Sequence, residues 1–70
     1  MEMIEVYRTT VTDFDESQLL IKLLQDVMLG AEVTFDLEDC DKVLRIKADY
    51  IDRNQVISIL SRYNYECELL

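Results

Sequence analysis

Ala31-Glu32-Val33-Thr34-Phe35-Asp36-Leu37, followed after Glu38-Asp39-Cys40-Asp41-Lys42 by Val43-Leu44-Arg45-Ile46-Lys47-Ala48, decides the fold. The first run alternates strictly, with Ala31, Val33, Phe35 and Leu37 on one face and Glu32, Thr34 and Asp36 on the other. Leu44, Ile46 and Ala48 repeat the pattern, so the two runs read as half-buried strands joined into a hairpin. Parity fixes the register, because a slip of one residue turns every apolar group to solvent. Pairing Leu37 with Lys42 sets Phe35 opposite Leu44, Val33 opposite Ile46, and Glu32 opposite Lys47 as an opposite-charge pair.

Downstream, Asp52 followed by Gln55 is a helix-start signal, and Val56, Ile59, Leu60 and Tyr63 mark one face of a helix. Asn64 suits the left-handed residue that ends it. Tyr65 to Leu70 reads as a last strand with Cys67 and Leu69 inward. Upstream, Asp13 with Glu16, or Asp15 with Gln18, opens a first helix. Leu19, Leu20, Leu23, Leu24, Val27 and Met28 form its apolar face, and Gly30 is placed at C′. Residues 2–11 read as the first strand. There Ile4 and Val6 share one face with Arg8, while Tyr7, Thr9 and Val11 share the other; a bulge near Arg8 is expected to bring Val11 inward. The outer sheet face is expected to carry Tyr7, Val43, Arg45 and Lys47.

The order strand, helix, strand, strand, helix, strand, with right-handed crossovers, predicts a ferredoxin-like split βαβ fold of the α+β class. The expectation is one domain over residues 1–70, a four-stranded antiparallel sheet of order 4-1-3-2, and both helices on one face.

The hairpin and the last-helix ending also resemble the heavy-metal-associated domain family, the copper-chaperone-like modules. Val33-Thr34-Phe35-Asp36-Leu37-Glu38 and Val43-Leu44-Arg45-Ile46 look like that family's hairpin. Ile59-Leu60 and Asn64-Tyr65-Glu66-Cys67 look like its closing segment, with Asn64 in place of Gly. The resemblance covers nearly the whole chain. It implies a metal loop, Met-x-Cys-x-x-Cys, between the first strand and the first helix. Here Val11 stands at the Met, Asp13 at the first Cys and Glu16 at the second. Soft-metal binding needs thiolates, so the resemblance carries the fold and removes that activity.

The chain has 70 residues, 7 basic and 15 acidic, for a net charge of −8. Such charge repels phosphate backbones and anionic lipid, so neither nucleic acid nor membrane is an expected partner. No apolar run is long enough to span a bilayer and no secretory signal is evident, so a cytoplasmic location is expected. Histidine is absent and no nucleophile–base pattern occurs, so no enzyme activity and no cofactor are expected. Cys67 reads as a small core hydrophobe. Cys40, at the hairpin tip between two aspartates, reads as a thiol of low reactivity, and the two lie on separate strands, too far apart for a bridge.

In this topology the loops at residues 12–16, 38–41 and 64–65 meet at one end of the sheet. Asp13, Asp15, Glu16, Glu38, Asp39 and Asp41 then form an acidic pole, with Tyr65 beside it. The same acids also read simply as helix caps and a soluble turn. The functional reading is a non-enzymatic interaction module that docks a basic protein partner through this pole. The alternative is a hard divalent cation held by carboxylates, with Asp13 and Glu16 as candidate ligands. The expected state is a monomer or a weak homodimer, the latter through the outer face or the free edge of the second or last strand.

Overall fold

The computed structural model describes residues 1–70, in which six elements follow one another: β1 (Met3–Thr9), α1 (Phe14–Val27), β2 (Glu32–Asp36), β3 (Val43–Ala48), α2 (Arg53–Arg62) and β4 (Cys67–Leu69). The strands form one antiparallel sheet in the order β2-β3-β1-β4, the expected 4-1-3-2 arrangement read from the opposite edge. It is an α+β fold of the split βαβ type. Phe35 faces Leu44, Val33 faces Ile46 and Glu32 faces Lys47, the register that side-chain parity demands. The Glu32 carboxylate lies 3.6 Å from Lys47 Nζ on the outer face.

Both helix starts are set by aspartate. Asp13 Oδ1 accepts from the N–H groups of Asp15 (2.8 Å) and Glu16 (3.3 Å). Asp52 Oδ1 does the same for Asn54 and Gln55. Each cap satisfies donors that have no partner within the helix. Helix α2 ends in a Schellman motif: Tyr65 N–H donates to Leu60 O and Asn64 N–H to Ser61 O, while Asn64 takes φ 67°. Helix α1 ends differently from expectation. It stops at Val27 with Met28 as its cap, and Gly30 is not the C′ residue. Ala31 N–H donates to Met28 O, and Gly30 (φ 81°) occupies the third position of that turn, where a type II geometry requires positive φ. The side chain of Leu29, exposed at the second position, contributes nothing to the core.

The core lies between the sheet and the two helices. Tyr7, Val11, Leu20, Leu24, Leu44, Ile46, Val56 and Leu60 are fully buried in it. Leu19 and Val27, placed on the apolar face of α1 by spacing alone, are exposed; the buried stripe is the narrower Ser17, Leu20, Leu24 and Met28. The largest departure is in β1. No bulge interrupts it, because the pairs Tyr7–Leu69, Arg8–Glu68 and Thr9–Cys67 run on without a break. The odd residues face the core throughout, so Tyr7 is buried and absent from the outer face, while Ile4 is 62% exposed. Apolar residues therefore point out and polar ones in, against the simplest pattern rule.

The inward polar groups are all satisfied. Tyr7 OH donates to Glu5 Oε1 (2.5 Å), and Arg53 Nε, from the first turn of α2, donates to Glu5 Oε2 (2.8 Å). Thr9 Oγ1 donates to Lys42 O and accepts from Val11 N–H, stitching the end of β1 to the end of the hairpin. No buried side-chain nitrogen or oxygen lacks a partner.

Candidate functional site

The end of the sheet where β1 finishes and β3 begins gathers the loops that carry the acids. Thr9 N–H donates to Asp41 O and Thr10 N–H to Glu66 O, which ties the chain entering α1 to both the hairpin and the approach to β4. Phe14, first residue of α1, lines a shared groove with Leu37 and Glu38 of the hairpin. Tyr65 lies beside Glu16 and Asp13. Desolvation, then the Glu16 carboxylate that can accept from its hydroxyl, then the Asp13 charge, hold its phenol above the usual range. The structure thus places Asp13, Asp15, Glu16, Glu38, Asp39, Asp41 and Tyr65 at one end.

These acids are not equivalent. Asp13 is occupied as the α1 cap. Asp39 Oδ1 accepts from Asp41 N–H at 2.8 Å, closing a turn of the Asx type. Asp41 Oδ1 lies 3.7 Å from Arg8 Nε, and Arg8 Nη1 lies 3.8 Å from Glu68. Lys42 takes φ 48° and turns its ammonium back onto Leu37 O at 2.9 Å. Arg8 and Lys42 therefore soften the pole, and both ion pairs of Arg8 are exposed and weak. Asp15 and Glu38 engage no partner through their carboxylates and are the freest charges of the group.

One cluster could present three ligand atoms to a cation: those of Asp39, Cys40 and Asp41 lie within 4.8 Å of one another. Asp13 and Glu16 belong to no such cluster. The Asp39 and Asp41 carboxylates already serve the turn and Arg8. Both cysteines are free, Cys40 exposed and Cys67 half-buried. Burial pushes the Cys67 thiol up to about 12, as suits a packing residue rather than a nucleophile.

Two surface features were invisible in the sequence. The first is the groove of about 620 Å³ flanking β2, in which Phe14, 65% exposed, meets Phe35, Leu37, Val43 and Arg45. The expected strand order made β2 an edge strand but could not place Phe14 beside it. The second is a smaller hollow at the opposite end, formed by Val27, Met28, Leu29, Ala48 and Tyr50. Polar side chains line both hollows as well, Thr34, Asp36 and Glu38 in the first and Asp49, Asp52 and Gln55 in the second. No helix is long and apolar enough to cross a membrane. No family model matches the chain, and no curated protein or solved structure matches it either.

Proposed function

We propose that this chain is a non-enzymatic protein-interaction module that docks a basic partner through its acidic end, a heavy-metal-associated-like domain in which carboxylates stand where the thiolates would be. The observation that carries this reading is the convergence of the 12–16 loop and the hairpin tip beside Tyr65, which concentrates six of the 15 acids of the chain on one surface. Concentrated charge of one sign raises the local concentration of an oppositely charged partner and its rate of encounter. Tyr65 and the exposed ring of Phe14 add the amphipathic contact area that interfaces favour.

The test is an amide-resolved titration of the labelled protein with an end-capped oligolysine. Saturable shifts concentrated at residues 13–16, 38–41 and 65 are expected. Shifts of equal size at Glu2, Asp26 and Asp49, which lie at the other end, overturn the reading. Parallel titrations with calcium, manganese and zinc decide the alternative, a hard cation held by carboxylates. A saturable response at Asp13 and Glu16 below millimolar metal favours the cation instead.

A further inference from the structure

Strand β2 is an edge of the sheet, and ladder parity identifies its free backbone groups. Leu70 N–H donates to Val6 O and Thr10 N–H to Glu66 O, so the even residues of β1 face β4; Thr9 N–H donates to Asp41 O, so the odd ones face β3. Tyr7 with Leu44 and Glu5 with Ile46 are therefore hydrogen-bonded pairs, and Leu44 and Ile46 spend their backbone groups on β1. Val43, Arg45 and Lys47 then face β2, where their partners are Asp36, Thr34 and Glu32. What remains is the N–H and C=O of Val33 and of Phe35, aimed away from the sheet. An edge of this kind is a template for a further strand.

Its surroundings define the strand that fits. The groove along the edge presents Phe14, Phe35 and Leu37, and it continues onto the outer side over Thr34, Asp36, Val43 and Arg45. On the outer side β2 presents Glu32 and Asp36, with Thr34 between them; Glu32 shares Lys47 at 3.6 Å through an exposed ion pair, and Asp36 has no cation opposite it. A second copy is a poor occupant. The antiparallel register that uses all four free groups sets Glu32 against Asp36 of the other copy, twice, and like charges directly opposite are destabilising. Each copy also carries −8. A strand with cations at those two positions turns the same repulsion into attraction.

We propose that the free edge of β2 takes an extended peptide of another protein as a fifth, antiparallel strand, with basic side chains opposite Glu32 and Asp36 and apolar ones against Phe14, Phe35 and Leu37. Main-chain hydrogen bonds to Val33 and Phe35 hold it, and alternation of basic and apolar residues selects it. This rests on the docking reading above and names the chemistry of its partner.

The probe is an end-capped peptide in which lysine alternates with valine; its counterpart has glutamate for lysine. At saturating lysine peptide, hydrogen exchange at the Val33 and Phe35 amides is expected to slow by about tenfold or more, since a bonded amide exchanges only on opening. The glutamate peptide is expected not to bind. Phe14→Ser, on a side chain the core does not use, is expected to weaken binding by about tenfold, the loss of one partly buried aromatic contact. Binding that shifts Asp13, Glu16, Asp39 and Asp41 without slowing Val33 and Phe35 overturns strand addition and leaves docking at the acidic end standing. No saturable binding overturns both.

Discussion

Arg53→Ala sets two physical arguments against each other. By local rules the change should help. Alanine has the highest helix propensity, and Arg53 is a positive charge in the first turn of α2, where the helix dipole disfavours it. The tertiary contact says the opposite. Glu5 is only 7% exposed, and the Arg53 guanidinium is the one cation bonded to it, at 2.8 Å. Removing one partner of a fully buried pair costs about 3–5 kcal/mol, because the other charge is left desolvated. Here the Arg53 side chain is 57% exposed and Glu5 keeps the Tyr7 hydroxyl, so solvent screening lowers the expected loss to about 1–2 kcal/mol. For a domain of this size that is a fall in Tm of about 5–15 °C. Thermal and urea unfolding of the two proteins side by side measure it. A second variant separates the pair from its charge. Glu5→Leu with Tyr7→Phe removes the buried carboxylate and the hydroxyl that needs it, and returns Arg53 to water; it is expected to cost less than Arg53→Ala or to stabilise. An unchanged or raised Tm for Arg53→Ala refutes the reasoning, as does a double variant less stable than the single one.

Three further outcomes concern the thiols, the phenol of Tyr7 and the end of α2. Tyr7 and Cys67 both have folded values above their ordinary ones; the Cys67 contribution to stability is complete below pH 9 and is lost as the pH climbs toward about 12, while that of Tyr7 begins to fall only above pH 10.0. Cys67→Ala should flatten the first part of that decline; in the wild-type protein at neutral pH a thiol reagent should modify the exposed Cys40 faster than the half-buried Cys67, and equal rates would contradict the burial. At Asn64, whose φ is 67°, Gly should hold or raise the Tm while Ala lowers it by the equivalent of about 1 kcal/mol, which thermal unfolding checks.

Most of the fold could be read from local signals because they agreed with the tertiary ones. In β2 and β3 the inward residues are apolar and the outward ones polar, so parity alone returned the observed register. Asp13 and Asp52 cap because each carboxylate reaches the free N–H groups two and three residues on, a local contact. Strand β1 resisted the same reading. Its inward positions Glu5, Tyr7 and Thr9 are satisfied by Arg53 of α2 and by the Lys42 carbonyl, partners 48 and 33 residues away in the chain. Its outward positions Ile4 and Val6 lie where the sheet faces solvent, a side on which apolar residues are tolerated singly. The end of α1 is not legible locally, because Gly30 signals positive φ but not which turn requires it. At the candidate site the convergence of the loops followed from topology. The groove did not, because it depends on where the Phe14 ring lies once α1 has packed.

Charge placed at one end, rather than charge in total, is the central claim, and a pair of charge-matched variants tests it most directly. Asp15→Asn, Glu38→Gln and Asp39→Asn together keep the turn acceptor at Asp39 and take the net charge from −8 to −5; Glu2→Gln, Asp26→Asn and Asp49→Asn do the same at the opposite end. Affinity for the end-capped oligolysine is the measurement. At about 0.5 kcal/mol for each exposed charge, the first variant should bind about tenfold more weakly than wild type while the second stays within about twofold. Equal losses in the two variants would contradict the account.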